Sequence, residues 1–345
     1  MAEFNWSEQH TLKEFEKEVI ENKEQNFTPY PKDIMSSGIL SLDVATRMGG
    51  FARGQIIDFY GDEALGKTTV ALRMVAERTV HGEHCLFIDV EHRLTAALTK
   101  IMVPDYEKFF HVVNAPTGDS ALRSLEKAVR TPELRMIVVD SLAAIMTEDE
   151  MDPDGSPGIA KTSREIAKSL KRLMTPVSMH GSLVILINQI RMNPMPSYGQ
   201  SPRTVTGGKS PKYFSSLRLG IYKDAPVKDG EDTVGQKLRI KVEKNLWGAP
   251  EGIAYATLLF GYGIDQATDL IEAGKKIGLI TSSGPWMTWN DGKMEIKGHG
   301  EKDLLEKIGN DFPKLWQIVR NRIVESKKTS VEVESKDAKD QHKKA

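Results

Sequence analysis

Gly61-Asp62-Glu63-Ala64-Leu65-Gly66-Lys67-Thr68-Thr69 is a complete Gly-x-x-x-x-Gly-Lys-Thr phosphate loop. The apolar run Ile56-Ile57-Asp58-Phe59-Tyr60 precedes it, and Val70-Ala71-Leu72-Arg73-Met74-Val75-Ala76, a helical pattern, follows. Strand, loop and helix in that order are the setting this motif needs. Gly61 and Gly66 let the backbone turn its N–H groups toward phosphate oxygens. Lys67 can reach the β- and γ-phosphates, and the Thr68 hydroxyl can hold Mg²⁺. All nine residues, 61–69, are therefore candidate nucleotide contacts, and the chain is expected to bind a nucleoside triphosphate.

The 345 residues, 39% hydrophobic and 28% charged, have the composition of a water-soluble globular protein with one large core and smaller attachments. Cys85 is the single cysteine, which excludes an internal disulfide and fits a reducing compartment. It lies in the apolar stretch Cys85-Leu86-Phe87-Ile88, where a buried thiol is expected. The first residues are charged and carry no signal-peptide pattern, and no apolar run approaches the ~18 residues of a membrane span. A cytoplasmic protein with no membrane partner is expected. The net charge of −1 does not suggest a nucleic-acid binder, but charge is segregated: Ile190–Arg218 holds Arg191, Arg203, Lys209, Lys212 and Arg218 without a single Asp or Glu.

The pattern predicts an α/β fold with a mostly parallel central sheet, because continuous apolar strands alternate with helices. The expected strands are Ile56–Tyr60, Cys85–Asp89, Met136–Asp140 and Leu183–Asn188, and the helices include Thr68–Val80, Asp119–Arg130 and Ile159–Thr175. Arg218–Tyr222, Leu238–Lys244 and Ala254–Phe260 follow without intervening helices and are expected to pair antiparallel. Four parts are expected. Residues 1–35 form a short helical arm, with Leu12, Phe15 and Val19 at helical spacing behind a Thr11-x-x-Glu14 capping box, and a linker. Residues 36–264 form the core, 265–326 a small α+β domain with an Asp291-Gly292 hairpin signal, and 327–345 a disordered tail.

Further candidates surround the loop. Met136-Ile137-Val138-Val139-Asp140 ends an apolar strand in a carboxylate that can hold the Mg²⁺ shell. Glu91 falls just past the strand Cys85–Asp89, where parallel sheets place ligands, and can orient and deprotonate a water; a solvated acid or a helix cap is the plainer reading. Gln189 ends a third strand and can sense a γ-phosphate. The following stretch, with Arg191, Met192, Tyr198, Arg203, Gly207, Gly208 and Lys209, combines cations, an aromatic and exposed backbone, as a single-strand groove does; a loop with incidental charge is the alternative. Lys161, Arg164, Lys168 and Lys171 share one side of the helix Ile159–Thr175, a face that is often only solvated. His81, His84, Cys85 and His92 lack a second ligand pair at zinc spacing.

In order, Ser36-Ser37-Gly38-Ile39-Leu40-Ser41-Leu42-Asp43, the phosphate loop, Phe87-Ile88-Asp89-Val90-Glu91-His92, Ile137–Ala144, Ile187-Asn188-Gln189-Ile190-Arg191-Met192, Thr206-Gly207-Gly208-Lys209, Val242-Glu243-Lys244-Asn245 and Tyr262-Gly263-Ile264 resemble the RecA recombinase family from about Gly38 to Ile323. The resemblance implies a RecA-like P-loop ATPase core that forms a helical homo-oligomeric filament on single-stranded DNA, with ATP and Mg²⁺ at each protomer interface. It implies Glu91 as catalytic base, Gln189 as γ-phosphate sensor, residues 148–160 and 191–211 as DNA loops, and Arg164, Lys171 and Gly207–Lys209 as backbone contacts. Lys244 matches the first of two lysines that reach a neighbour's γ-phosphate, whereas Leu246 stands at the second; Leu98 stands where the family stacks a tyrosine on adenine. The tail from Ser326 has six Lys against four acids, unlike the family's acidic tails.

The expected function is an ATP-dependent DNA recombinase, a DNA-stimulated ATPase that pairs a single strand with homologous double-stranded DNA in recombination and repair. A closed-ring motor of the same fold and an ATP-binding filament scaffold with little hydrolysis are the alternatives.

Overall fold

The computed structural model describes residues 33–104, 106–145, 159–192, 203–205 and 210–326. The expected N-terminal helix and the tail from Lys327 lie outside them. Ile34–Met35 (β1) and Phe51–Ala52 (β2) form a small antiparallel pair. Between them lies the short helix Leu40–Ala45 (α1).

Gln55–Gly61 (β3) is buried at every position, which is why its sequence is apolar throughout instead of alternating. His84–Asp89 (β4), Phe110–Asn114 (β5), Leu134–Asp140 (β6) and Leu183–Met192 (β7) join it in parallel. Arg203–Val205 (β8) pairs antiparallel with the end of β7. Leu217–Asp229 (β9) runs parallel to β3, and Asp232–Asn245 (β10), Ile253–Leu259 (β11) and Gly263–Ile264 (β12) continue the sheet antiparallel. The order across this ten-stranded sheet is β12-β11-β10-β9-β3-β7-β6-β4-β5, with β8 beyond β7. Every expected core strand is present. β5 is not among the expected strands: His111, Val112 and Asn114 are exposed at this edge, so its apolar signal is weak.

Lys67–Val80 (α2) covers one face of the sheet; Val70, Ala71, Met74 and Val75 pack with Ile57, Phe59, Phe87, Val138 and Ile185. The connection from β4 to β5 carries Ala96–Met102 (α3) and Tyr106–Phe109 (α4). Gly118–Ala128 (α5) and Ile159–His180 (α6) cover the opposite face, where Leu122, Leu125, Ile166, Leu170 and Leu173 meet Ile56, Ile88, Ile137, Val139 and Leu186. Neighbouring residues of one strand thus enter opposite layers, as the two-residue period of a strand requires. Cys85 is fully buried, and burial pushes its thiol pKa up to about 12. Ser210–Phe214 (α7) leads into β9.

The segment after Asp265 has its own apolar cluster. Gln266–Lys276 (α8), the antiparallel sheet of Ile280–Ser283 (β13), Trp286–Asn290 (β14) and Glu295–His299 (β15), Gly300–Ile308 (α9) and a final helix, 312–326 (α10), enclose Trp289 with Leu270, Leu304, Leu315, Val319 and Ile323. Leu40 of α1 belongs to the same cluster, so this segment packs on the core directly. Trp289→Ala is expected to cost about 3–5 kcal/mol, the range for emptying a buried aromatic site; a denaturant titration with a shift under about 1 kcal/mol contradicts that packing role.

Asp269 of α8 is buried and accepts the N–H groups of Leu40 (2.5 Å) and Ser41 (3.0 Å) at the start of α1. Burial pushes its pKa up to about 6, against the opposing hydrogen bonds from Ser41 and Leu40. The folded chain therefore holds this proton more tightly than the unfolded one, and the stability it contributes at low pH is lost as pH rises through about 6. Between pH 7.5 and pH 5, the parent is expected to gain about 1 kcal/mol relative to Asp269→Asn. Urea midpoints of the two proteins check this; a gain in the opposite direction means the α1 amides keep the carboxylate charged.

Candidate functional site

The sheet register places four strand ends side by side. Gly61 of β3 lies opposite Gln189 of β7, and Asp89 of β4 lies opposite Asp140 of β6. The phosphate loop spans the gap from β3 to α2. Gly61 needs its missing side chain because a Cβ there would run into the Ile221 carbonyl oxygen of β9. Gly66 is left-handed (φ 80°), and a Cβ there would strike Leu258. Gly66 is also the N-cap of α2 and supplies no side-chain acceptor, so the first amides of this 14-residue helix are open to an anion.

Lys67 is buried, and its Nζ donates to the carbonyls of Gly61 (3.1 Å) and Asp62 (2.6 Å). Burial lowers its pKa, while Asp140 and Glu91 oppose the shift. The Thr68 hydroxyl donates to Asp140 Oδ2 at 2.5 Å. Burial pushes the Asp140 carboxyl up to about 6; Thr68 opposes this, and the nearby Glu91 and Asp89 reinforce it. A hydroxyl and an under-compensated carboxylate side by side are a donor set that fits Mg²⁺, a hard ion that takes oxygen ligands.

Glu91 follows the end of β4, where the N–H groups of Val90 and Glu91 donate to the Asp140 carbonyl (2.8 and 3.3 Å) and tie this loop to β6. Its Oε1 accepts from Gln189 Nε2 at 2.8 Å and from the Ser141 hydroxyl, and its Oε2 pairs with Arg93 Nη1 at 3.2 Å. Thr68 with Asp140, and Glu91 with Gln189, thus form one polar cluster joined through the Glu91 N–H to the Asp140 carbonyl, and Lys67 lies in the electrostatic field of both carboxylates. Ser141 falls within the motif Ile137–Ala144, though the sequence gives it no role, and Arg93 has no signal beyond its place two residues past Glu91.

The RecA N-terminal domain family matches residues 7–265. The chain is also 37% identical over 278 residues to Protein RecA of Bartonella bacilliformis and to that of Wolinella succinogenes, covering 80% of this chain and 79% of each relative. Protein RecA of Rickettsia bellii is 32% identical over 286 residues, 81% of this chain and 82% of the relative. The chain belongs to the RecA family.

In this RecA family member Lys244, matched to a lysine that reaches a neighbour's nucleotide, lies outside the polar cluster of its own protomer: its Nζ donates to the carbonyls of Lys212 (3.1 Å), Tyr213 (3.2 Å) and Ser215 (2.5 Å), closing the C-terminal end of α7. Burial, with Arg218 and Lys212 nearby, lowers its pKa. Leu246, next but one, is 63% exposed. Leu98 sits on α3, partly buried against the core.

On α6, Arg164, Lys168 and Lys171 are exposed opposite the buried Ile166, Leu170 and Leu173. Lys168 is paired with Glu165 of its own helix at 2.7 Å. Arg191 and Met192 end β7, and β8 returns beside them, with Arg191 opposite Thr204 and Met192 opposite Arg203. This RecA family ribbon thus grows from the strand that carries Gln189. Tyr198, Gly207, Gly208 and Lys209 lie outside the described residues. Arg218, counted in the basic stretch, is instead buried, paired with Asp58 at 3.0 Å and stacked on the Tyr60 ring. Tyr213 of α7, 77% exposed beside Lys212, is an aromatic surface the motif reading passes over.

Proposed function

We propose that this chain is an ATP-dependent DNA recombinase that assembles a filament on single-stranded DNA and pairs it with homologous double-stranded DNA. The observation that carries this reading is the convergence of Lys67, Thr68, Asp140, Glu91 and Gln189 at aligned strand ends, in a chain of the RecA family. Residues 61–69 cradle the phosphates, and Thr68 and Asp140 would hold Mg²⁺, which would neutralise phosphate charge when bound. Lys67 leaves the Gly61 and Asp62 carbonyls for phosphate oxygens. Glu91 takes a proton from water as the water oxygen attacks the γ-phosphorus; the bond to the bridging oxygen breaks, and ADP departs with the electron pair.

Gln189 trades its Glu91 bond for the γ-phosphate and so reports nucleotide state along β7 to Arg191, Met192 and Arg203. Arg164, Lys171 and Gly207–Lys209 contact the DNA backbone, which positions the strand while base pairing reads sequence, and Tyr198 supplies the aromatic of the single-strand groove. Lys244, held by α7 within one protomer, reaches a neighbour's nucleotide only if that cap opens on assembly. No described helix is long and apolar enough to cross a membrane.

The test is phosphate release from ATP with and without single-stranded DNA, followed by a strand-exchange assay. DNA-stimulated release and exchange that requires ATP support the reading; unwinding of duplex without exchange, or no release in either condition, overturns it.

A further inference from the structure

The turn after β4 sets a second cation over the phosphate loop. His92 is left-handed (φ 54°), and Arg93 beyond it reaches back across the site. Arg93 Nη1 pairs with Glu91 Oε2 at 3.2 Å, and both terminal nitrogens contact Glu63 Oε1 of the phosphate loop at 3.3 Å. Lys67 feels the same two carboxylates, so the two cations occupy one electrostatic neighbourhood. The side chains of Arg93 and Glu63 are 66% and 63% exposed, whereas that of Glu91 is 14% exposed. Exposed ion pairs of this kind contribute little to stability, so little holds Arg93 in its resting position.

The two oxygens of Glu91 differ in how they are held. Oε1 is fixed by Gln189 of β7 and by Ser141 just past β6, while Oε2 pairs with the exposed Arg93. A base needs one oxygen open to the proton it accepts, and Oε2 is the one whose partner can leave. A triphosphate offers that partner something better. Its terminal oxygens match the guanidinium fork, carry more charge than a carboxylate, and form charge-assisted bidentate hydrogen bonds.

We propose that Arg93 exchanges the carboxylates of Glu91 and Glu63 for the terminal phosphate of the bound nucleotide. The exchange frees Glu91 Oε2 for water and brings a second cation onto the phosphoryl group as it transfers. This rests on the assignment of residues 61–69 and Glu91 to the phosphate site. Arg93 makes and breaks no covalent bond; it touches the reacting group and stabilises its charge, supplied by the same chain and the same loop as the base.

The test uses the full-length protein and two variants, Arg93→Ala and Arg93→Lys. Arg93→Ala is expected to lower DNA-stimulated turnover at saturating ATP by ~10²–10³-fold, below the full effect of an arginine finger because removing Arg93 also frees Glu91 Oε2 for water. It is also expected to lower the preference for a non-hydrolysable triphosphate over ADP, measured by calorimetry without turnover, by about tenfold, the loss of one charge-assisted contact. Arg93→Lys, which keeps charge without the fork, is expected to fall between parent and Ala. Turnover within about twofold of the parent, or a rise in turnover from unmasking Glu91, together with an unchanged triphosphate preference, overturns the proposal. If Glu91→Gln is inactive in the same assay, the phosphate-site reading survives that outcome. A parent that neither binds nor hydrolyses ATP overturns both.

Discussion

Glu91→Gln is expected to reduce ATP hydrolysis by ~10²–10⁴-fold while leaving ATP binding and ATP-dependent DNA binding within a few-fold of the parent. The amide keeps the shape of the carboxylate, and its oxygen still accepts from Ser141 and from Gln189, so the tie between the ends of β4, β6 and β7 persists. Its nitrogen cannot accept a proton and turns a donor toward Arg93, which is exposed enough to swing away. The chemical step fails and the binding steps remain. Single-turnover hydrolysis and fluorescence titration with labelled single-stranded DNA separate the two. Hydrolysis at parental rate would falsify Glu91 as the base and return it to a loop acid that merely orders Gln189.

Lys67→Ala is expected to have the larger effect on binding. Among the described residues Lys67 bonds to the Gly61 and Asp62 carbonyls of its own loop, and it is buried at a cost to its charged form. Its removal therefore changes the melting temperature of the free protein little. With nucleotide the comparison reverses, because the ammonium is a buried cation of the loop itself and hydrogen bonds to charged groups contribute about 1.5–3 kcal/mol each. A loss of two such bonds weakens ATP binding by at least ~10²-fold. Thermal shifts read this directly: millimolar MgATP raises the parental melting temperature, in proportion to ln(1 + [L]/Kd), and leaves the variant unmoved. Equal shifts in both proteins would show that the α2 amides bind the triphosphate without the lysine.

The parts of this protein that sequence makes legible are those where one physical requirement dominates. Strands β3, β4, β6 and β7 are buried on both faces, so their composition is unambiguous. The phosphate loop is a local backbone solution, and its glycines are dictated by sterics within and beside the loop. Features set by register or by a distant partner are not legible. Arg218 looks like a surface cation until β9 is laid beside β3, which brings it against Asp58. Lys244 matches a motif, yet its nearest acceptors are carbonyls some thirty residues earlier in the chain, at the end of a five-residue helix. β9 extends through polar residues such as Lys223, Asp224 and Lys228, because its pairing with β3 spans Leu217–Gly220 and its far half, paired with β10 alone, is an edge strand. Arg93 is invisible because an exposed arginine in a loop has no pattern at all; only its distances to Glu91 and Glu63 distinguish it.

Gln189 and Arg191 lie two positions apart on β7, a span of about 7 Å of extended chain. Such a strand, hydrogen-bonded into the sheet through Gln189 and to β8 beyond it, behaves as a stiff rod, so its two ends cannot choose positions independently. Thermodynamic reciprocity then applies to the proposed pair of ligands: whatever factor nucleotide adds to DNA affinity through this rod, DNA must add to nucleotide affinity. On this proposal a protomer that binds nucleotide more tightly when coated with DNA is the counterpart of one that grips DNA only when charged, and the same few ångströms of strand serve both.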